Sequence, residues 1–474
     1  LHDLRRAYLQ DASARQDSLG RVLGRLLQHE AQSARVTLSP TILQLPQERK
    51  PHMGHPISGS PRQRRSLSQR LGLLAATALL ILLVGSMAVT INLAYQHKEN
   101  TAGQATKKAA STTIPIIQQN LYITFGTTVE KLDSRNGNVL WTYTTPDLAS
   151  SPVTIAGGVV YVAPQNSPIY ALNATNGKLL WQTDKHFGGS VVVVQNIVYA
   201  RNLDTGYLYA LDASNGQILW QRQLGFPVAG LVVAEGSIYV TATIESPSTP
   251  TYAVLYALKA SNGTEIWHTT FSNQFLVNTP QIVNGVLYTD SSADNKSANP
   301  PDRHSYVYAF DAKTGVMRWR SVEIKALVNV SPTVANNMVY VGSNVLGADG
   351  PAIYAFRASD GFLVWKKSVS HSVDSWLQVV NGVLYTVEGS RTFVETPVLA
   401  LNASNGAVLW SHPLAKYFEF EYRGCAISNG LLYITTLDGL IHVLRTTDGT
   451  QVRSFSLGHA SFSTIPPPAM VLAP

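Results

Sequence analysis

Residues 400–410 read ALNASNGAVLW, which begins as a strand, reaches an Asn-Gly turn and continues as a second strand that ends in tryptophan. Asn-Gly between two apolar segments is a strong β-hairpin signal, because both residues tolerate the left-handed backbone of a tight turn. The same wording recurs elsewhere, as ALNATNGKLLW at 171–181, ALDASNGQILW at 210–220, ALKASNGTEIW at 257–267, AFDAKTGVMRW at 309–319 and AFRASDGFLVW at 355–365. The chain therefore repeats one structural unit.

The turn glycine sets the period of the repeat. It falls at positions 137, 177, 216, 263, 315, 361, 406 and 449. Tryptophan follows four residues later in seven copies, and Arg453 takes that place in the eighth. A tryptophan repeated at a fixed position in seven units cannot belong to one active site, so we interpret it as a packing residue between units.

A second phrase alternates with the first. Clear copies are SPVTIAGGVVYV (151–162), TPQIVNGVLYT (279–289), SPTVANNMVYV (331–341), LQVVNGVLYTV (377–387) and CAISNGLLYIT (425–435), and weaker ones are IPIIQQNLYIT (114–124), VVVVQNIVYAR (191–201) and LVVAEGSIYVT (231–241). Each unit therefore reads as four strands, A to D, over about 45 residues, which is typical of a propeller blade. Closing the blades into a ring removes exposed strand edges. The sequence predicts an all-β, eight-bladed β-propeller.

The consensus Ala-x-Asp-x-x-x-Gly-x-x-x-Trp, which Asp212, Gly216 and Trp220 fit without deviation, resembles the tryptophan-docking repeat of the PQQ-like β-propeller superfamily. That superfamily includes quinoprotein alcohol dehydrogenases and BamB-like assembly proteins. The resemblance covers residues 114 to about 456. It implies eight blades, with each tryptophan wedged against a neighbouring blade.

A candidate membrane helix precedes the propeller. Residues 71–95 contain no charged side chain, and 25 residues are enough to span a bilayer. Arginines crowd the N-terminal flank, so the positive-inside rule predicts a single-pass protein of the cytoplasmic membrane with its N-terminus inside and the propeller outside. We therefore divide the chain into a cytoplasmic basic tail with an amphipathic helix (1–70), a transmembrane helix (71–95), a linker (96–113) and the propeller (114–474).

The charge distribution argues against nucleic acid as a partner. Residues 1–70 hold 12 Lys and Arg against 5 Asp and Glu, whereas the rest of the chain holds 24 of each. The basic surplus thus belongs to the tail, and the predicted propeller has no net positive charge to attract a phosphate backbone.

The resemblance raises the question of pyrroloquinoline quinone (PQQ). For alcohol-oxidising members it implies two adjacent half-cystines beside the quinone, and Glu, Asn and Asp residues around calcium and the catalytic base. This chain has one cysteine, Cys425, and no cluster that matches those motifs. We therefore predict no catalytic, cofactor-binding or metal-binding residue. Calcium at Asp290, Asp294 and Asp302 is an alternative to a solvated loop.

The propeller topology places the A–B and C–D turns on one face and the B–C loops and D–A crossovers on the other. The second set is long and irregular in four consecutive blades, at 241–252, 290–305, 342–352 and 387–397. Loops on a rigid scaffold commonly carry function, and aromatic and Arg side chains are typical binding anchors. The predicted ligand or partner residues on this face are Asn278, Asn329, Asp374, Trp376, Tyr417, Phe418, Phe420, Tyr422 and Arg423.

Two function classes follow from these observations. The first is a non-catalytic binding, scaffold or sensor module whose loop-rich face binds an unidentified protein, peptide or small-molecule ligand. The second is a PQQ-dependent dehydrogenase of the quinoprotein type.

Overall fold

The computed structural model describes most of the propeller. The described residues are 119–149, 151–202, 204–225, 228–246, 249–276, 278–295, 301–344, 346–373, 376–389, 396–414, 424–436, 439–457 and 469–473. They form 32 strands in eight four-stranded sheets. Every strand pairs antiparallel with its neighbours, as the four-strand reading of each repeat predicts.

The strands of the first four blades are given from the innermost strand outward. Blade 1 contains β32 (Ala469–Ala473), β1 (Asn120–Phe125), β2 (Thr128–Asp133) and β3 (Val139–Thr144). Blade 2 contains β4 (Thr154–Ala156), β5 (Val159–Val162), β6 (Tyr170–Asn173) and β7 (Leu179–Gln182). Blade 3 contains β8 (Val192–Val194), β9 (Ile197–Arg201), β10 (Tyr207–Asp212) and β11 (Ile218–Gln223). Blade 4 contains β12 (Val228–Ala234), β13 (Ser237–Ser246), β14 (Thr249–Lys259) and β15 (Glu265–Ser272).

The remaining blades follow the same order. Blade 5 contains β16 (Gln281–Val283), β17 (Val286–Asn295), β18 (Asp302–Asp311) and β19 (Met317–Arg320). Blade 6 contains β20 (Thr333–Ala335), β21 (Met338–Gly342), β22 (Ala352–Arg357) and β23 (Leu363–Ser368). Blade 7 contains β24 (Leu377–Val380), β25 (Val383–Val387), β26 (Thr396–Asn402) and β27 (Val408–Leu414). Blade 8 contains β28 (Cys425–Ser428), β29 (Leu431–Thr435), β30 (Leu440–Arg445) and β31 (Gln451–Ser456).

The repeated tryptophan joins each blade to the next, as predicted. The indole Nε1 of Trp220 donates a hydrogen bond to the carbonyl oxygen of Ala260 in the following blade, 3.1 Å away. The hydroxyl of Tyr199 donates to the same oxygen over 3.2 Å. The indole also covers Gly263, where a Cβ would lie 2.8 Å from the ring. The consensus glycine therefore serves both the turn, with φ +70°, and the docking of the neighbouring tryptophan.

The eighth blade replaces this contact with a different one. Arg453, at the tryptophan position, donates from Nη1 to the carbonyl oxygen of Arg135 in blade 1. The ring that covers the blade 1 glycine, Gly137, belongs to Phe455, two residues further along β31. The junction between blades 8 and 1 thus lacks the repeat tryptophan but still has an aromatic ring packed against the turn glycine of the neighbouring blade.

The innermost strand of blade 1 comes from the C-terminal part of the chain, which corrects the sequence prediction. The copy IPIIQQNLYIT (114–124) predicts that strand A of blade 1 precedes β1. Instead, β32 pairs antiparallel with β1, from Asn120 opposite Ala473 to Thr124 opposite Ala469. A hydrophobic core between blades 8 and 1 includes Met470 and completes the set of eight inter-blade cores. The ring is therefore closed by both ends of the propeller sequence.

Two of the four B–C segments that the sequence predicts to be irregular are, over their described residues, extended antiparallel hairpins. In blade 4, β13 and β14 stay paired as far as Ser246 and Thr249, and in blade 5, β17 and β18 stay paired from Val286 to Asn295. Their Ser, Thr and Asp residues obscure the strand pattern, because those residue types are typical of turns. The segment 342–352 continues beyond β21 without such a hairpin, and most of 387–397 lies outside the described residues.

The predicted cytoplasmic tail (1–70), membrane helix (71–95) and linker (96–113) lie outside the described residues. Within the ranges that the structure describes, no helix has the length and apolar character needed to cross a membrane.

Candidate functional site

The two faces of the ring differ in their connections. The turn face, which carries the A–B and C–D turns, has short turns with left-handed residues, such as Asn284 and Gly285 at φ +51° and +71°. The loop face, which carries the B–C connections and D–A crossovers, has the extended hairpins β13–β14 and β17–β18. Isolated bridges fix crossovers to the neighbouring hairpins on this face, for example Phe275 to Ser292 and Ser305 to Ile324.

One position near the loop face carries charged residues in two blades. This position lies two residues after the tyrosine that recurs in strand B of every blade. Side chains two residues apart in a strand point to the same side, so the side chain at this position points toward the next blade, as the tyrosine does. Its occupants are Thr124, Ala163, Arg201, Thr241, Asp290, Gly342, Val387 and Thr435. Asp290 in blade 5 is buried and Arg201 in blade 3 is half-buried. Both stand out, because charged groups are rarely removed from water without a partner of opposite charge.

Asp290 is a buried acid with one hydrogen-bonded oxygen. Its side chain is 2% exposed, and its Oδ2 accepts a hydrogen bond from Asn278 Nδ2 over 2.9 Å. Its Oδ1 has no hydrogen-bond partner among the described residues. Burial raises the pKa of Asp290 to about 7, although the hydrogen bond from Asn278 lowers it. This carboxyl can therefore change its protonation state near neutral pH.

The crossover into blade 6 covers this acid. Asn278 Nδ2 also donates to the carbonyl oxygen of Val328 over 3.3 Å. Ser305 Oγ accepts from Val328 N over 3.0 Å and donates to Ala326 O over 2.8 Å, so the crossover is held on β18. The Asn278–Asp290 pair is thus enclosed between blades 5 and 6.

Besides the buried Asn278–Asp290 pair, the propeller has a cleft between blades 4 and 5. Its volume is about 370 Å³, and its lining consists of Thr269, Thr270, Phe271, Ser272, Gln274, Tyr308, Phe310, Gly315, Met317 and Arg320. Phe271 and Tyr308 pack edge to face, with ring centroids 5.1 Å apart. Ser291 Oγ donates to Gln274 Oε1 over 2.5 Å and contacts the Tyr308 hydroxyl at 3.3 Å. We call this feature the blade 4–5 cleft.

An exposed cation borders the blade 4–5 cleft. The guanidinium carbon of Arg320 lies 4.6 Å from the ring centroid of Tyr306. The Tyr306 hydroxyl donates to Glu323 over 3.2 Å, and the ring packs against His304 at 5.7 Å. A partner at this cleft would meet Tyr308 and Arg320, two residue types that are enriched at protein-binding hot spots, beside threonine and serine side chains.

A family model described as outer membrane protein assembly factor BamB matches residues 125–244, 204–344 and 303–416. The chain belongs to this family of PQQ-like β-propellers. Its matched region contains the blade 4–5 cleft, Arg201 and the Asn278–Asp290 pair.

Individual relatives agree on the fold and differ in activity. The tetrathionate hydrolase of Acidithiobacillus ferrooxidans is 25% identical over 64% of this chain and 52% of its own length. BamB of Yersinia pestis is 24% identical over 67% of both chains. The crystal structure of BamB from Moraxella catarrhalis aligns with a TM-score of 0.53 at 18% identity and covers 69% of this chain and 92% of its own. The chain spans about half the length of the tetrathionate hydrolase.

The structure places three of the predicted partner residues of this PQQ-like propeller. Asn278 lies in the buried pair, and its bond to Val328 brings it beside the crossover that carries Asn329, whose N–H donates to Gly342 O over 3.4 Å. Trp376 is partly buried against the core between blades 7 and 8, and its carbonyl accepts from Thr386 Oγ1 over 2.7 Å. The other predicted residues, Asp374, Tyr417, Phe418, Phe420, Tyr422 and Arg423, lie outside the described residues.

The three aspartates that the sequence assigns to a loop have separate environments. Asp290 is buried, Asp294 forms an ion pair with Arg303 at 2.8 Å, and Asp302 lies 3.0 Å from His304. Across the described ranges, no three His, Cys, Asp or Glu side chains are grouped closely enough to hold a metal ion. Cys425, at the start of β28, packs against the core between blades 7 and 8, and burial raises the pKa of its thiol.

The sequence prediction misses the two charged residues that are most unusual in the structure. The residue types around Asp290 predict a solvated loop, and Arg201 ends a weak copy of the repeat. A signal was available for both residues. At the position two after the strand B tyrosine, the other six blades carry Thr, Ala, Gly or Val, so a charged residue there departs from the repeat.

Proposed function

We propose that this PQQ-like propeller is a membrane-anchored binding module, outside the cytoplasmic membrane, that holds a protein partner at its loop face and along the adjoining outer strands of blades 4 and 5. The observation that carries the proposal is the blade 4–5 cleft, which combines buried aromatic rings with Arg320 at its border. A volume of about 370 Å³ is enough to receive one or a few side chains of a partner.

The walls of the cleft favour recognition without large rearrangement. The hairpins β13–β14 and β17–β18 continue the two blades that form the cleft, and the Phe275–Ser292 bridge ties the crossover between those blades to β17. Preorganised surfaces lose less conformational entropy when a partner binds. The family relationship supports the same class of function, because the matching family model is described as an assembly factor.

The membrane anchor is part of the proposal. The uncharged segment 71–95 and the arginines before it support a single span with the propeller outside. A propeller held in this way would meet partners that lie in or near the same membrane.

Site-specific photo-crosslinking in the producing cells tests the binding function. A photoreactive amino acid at Thr270, on the exposed border of the cleft, should give a discrete crosslinked band whose partner mass spectrometry can identify. The matched control is Gln223, which occupies the equivalent exposed position in blade 3, three residues after the repeat tryptophan.

Charge substitution then tests the cleft itself. Arg320→Glu should reduce the Thr270 crosslink, whereas Arg318→Glu on the same strand should leave it unchanged, because Arg318 does not line the cleft. Equal crosslinking from Thr270 and Gln223, or equal effects of the two arginine variants, would argue against the proposed face.

A second candidate function is hydrolysis, which one specific observation favours. A buried acid whose pKa lies near 7 suits general acid or base chemistry, and Asp290 has this property. The tetrathionate hydrolase relative makes an oxyanion substrate the first to test. Turnover of tetrathionate by the full chain, lost in Asp290→Asn with the fold intact, would support this candidate over a purely binding role.

A further inference from the structure

The outer strand of blade 4 is an open sheet edge. β15 is the last strand in the order of its sheet and, among the described residues, pairs only with β14. The backbone groups on its other side therefore face solvent, and an unpaired edge can accept a further strand. Every blade has such an outer strand, but β15 differs from the others in length and composition.

β15 lacks the residues that commonly protect an exposed edge. Charged side chains, above all Lys, and Pro discourage pairing with another chain. Five other outer strands contain Lys, Arg or Pro, namely Arg222 in β11, Arg318 and Arg320 in β19, Lys366 and Lys367 in β23, Pro413 in β27 and Arg453 in β31. Between Ile266 and Ser272, β15 has no Asp, Glu, Lys, Arg or Pro. The outer strands β3 and β7 also lack Lys, Arg and Pro, but they have six and four residues against eight in β15.

Thr270 directs its N–H away from the blade. It lies three residues after the repeat tryptophan of β15. In blade 5 the residue two positions after the tryptophan, Ser321, donates its N–H inward to Val307 O over 2.8 Å. Inward and outward N–H groups alternate along an edge strand, so the next residue donates outward. Blade 7 agrees with this assignment, because at the position equivalent to Thr270 it has Pro413, which has no N–H.

A strand added to β15 would extend over the blade 4–5 cleft. Trp267 points toward blade 5, where its indole Nε1 donates to Ala312 O over 3.0 Å. Thr269 lies two residues further along β15, so its side chain points the same way, and it lines the cleft. A neighbouring strand lies about 4.8 Å further out, and its alternate side chains would point toward the same cleft. From blade 5, Met317, which is 54% exposed, and Arg320 line that cleft.

Arg320 gives the cleft a preference for negative charge. Arg318 on the same strand is paired with Asp311 at 2.8 Å, whereas Arg320 stacks on Tyr306 and forms no ion pair among the described residues. The acid of β15, Glu265, is already bound by Arg222 of blade 3 at 2.8 Å. An acidic side chain on the added strand would pair with Arg320, which favours one register and one class of partner.

We propose that β15 pairs through its backbone with an extended segment of the protein partner, in which the side chains facing the cleft are apolar except for one acidic residue beside Arg320. Strand addition of this kind takes its affinity from main-chain hydrogen bonds and its specificity from the alternate side chains. The proposal rests on the proposed binding function and specifies how the partner is held at the blade 4–5 cleft.

Fluorescence anisotropy with the full-length protein in detergent tests strand addition. The probe is a labelled octapeptide of alternating valine and threonine, with glutamate in place of one central valine, and we expect it to bind saturably. Two further probes carry N-methyl groups either on the valine and glutamate residues or on the threonine residues. Only one of these two sets of amides faces β15, so one methylated peptide should bind at least about tenfold more weakly and the other should not. Lysine in place of glutamate should weaken binding about fivefold, because it faces Arg320.

Two variants at one position separate backbone pairing from side-chain contact. Thr270→Pro removes the outward N–H and should weaken binding of the glutamate peptide at least about tenfold. Pro413 at the equivalent position of blade 7 shows that the fold accepts proline there. Thr270→Ala is the matched control, because it keeps the N–H, and its affinity should stay within about twofold of the wild type. The methylated peptides decide the matter if Thr270→Pro fails to fold.

Binding that is lost with one methylated peptide and in Thr270→Pro, but kept in Thr270→Ala, supports the proposal. No saturable binding, equal affinity of all three glutamate peptides, or equal losses in Thr270→Pro and Thr270→Ala overturns it. Light scattering on the protein alone covers another occupant, since a dimer that Thr270→Pro dissociates would assign the edge to a second copy of the chain and overturn the proposal. If the peptide does not bind but Arg320→Glu still reduces the Thr270 crosslink in cells, strand pairing is wrong and the proposed binding function stands.

Discussion

The ring of Phe455 in blade 8 packs over Gly137 in blade 1, so closely that a Cβ on Gly137 would lie 2.6 Å from the ring. At every other junction a tryptophan makes the equivalent contact with the glycine of the next blade. The junction that closes the ring therefore depends on an aromatic residue that the repeat consensus does not specify.

Phe455→Ala should lower the free energy of unfolding by about 3–5 kcal/mol, because truncating a buried aromatic leaves a cavity in the closing core. Phe455 is 8% exposed and belongs to that core. Chemical denaturation of the full chain measures the effect. The control is Phe362→Ala, at a site 61% exposed, which should change stability by less than about 0.5 kcal/mol. Similar losses in both variants would mean that Phe455 has no special role in closure.

Met470→Ala tests whether β32 closes the ring. Met470 is 4% exposed in the core between blades 8 and 1, so its truncation should cost about 2–5 kcal/mol. Met317→Ala provides the comparison, because Met317 is 54% exposed on β19. If Met470→Ala unfolds at the same denaturant concentration as the wild type, strand A of blade 1 must come from elsewhere in the chain.

Asp290→Asn should remove a specific pH dependence of stability. The pKa of Asp290 is about 7 in the folded protein, against about 3.9 in an unfolded chain. Below about pH 4 both states hold the proton. Between about pH 4 and 7 only the folded state holds it, so the free energy of unfolding falls as pH rises, and the fall ends above about pH 7.

The Asp290→Asn variant carries no titrating group at this position, so its stability relative to the wild type should rise between pH 4 and 7, by up to about 4 kcal/mol. Denaturation curves at pH 4, 5.5, 7 and 8 measure this difference. Asp448→Asn is the control. A hydrogen bond from Thr450 holds the pKa of Asp448 below its ordinary value, so this substitution should change the pH dependence of stability only below about pH 4. A constant difference between wild type and Asp290→Asn from pH 4 to 8 would show that Asp290 is ionised throughout.

The predicted topology can be checked with reporter fusions after Pro474. A reporter that is active only outside the cytoplasmic membrane should be active there, because the arginines before residue 71 favour a cytoplasmic N-terminus. A cytoplasmic reporter at the same point should be silent. The reverse pattern would refute the predicted orientation.

The repeated contacts between blades could be predicted from sequence because a local pattern marks both partners, the tryptophan and the glycine, in the copies of the repeat. Gly216 and Trp220 stand four residues apart in a hairpin, and seven copies of that spacing specify both the strands and the docking residue. The strand β32 could not be predicted in the same way. Its sequence AMVLA has no Asn-Gly turn beside it, and its pairing with β1 arises only when the ring closes.

The charged residues could be predicted only in part. Asp290 lies among Ser, Asp and Asn residues that are typical of exposed loops, and its burial comes from the blade 6 crossover, which no local pattern encodes. Arg201 departs visibly from the repeat, but its close packing against Gly189, where an added Cβ would lie 2.8 Å from Nη2, depends on another segment of the chain. The repeat pattern therefore predicts the propeller scaffold better than it predicts the residues by which individual blades differ.

The pairing of β32 with β1 also affects how the protein is made. The two strands lie about 350 residues apart, so at synthesis rates of about 5–20 residues per second β1 waits on the order of 20–70 s for its partner. During this interval the inner edge of blade 1 is unpaired, and an unpaired strand edge readily joins other chains. A nascent chain must therefore be protected until β32 emerges, and a ribosome that stalls before β32 leaves a product that contains seven complete blades and cannot close.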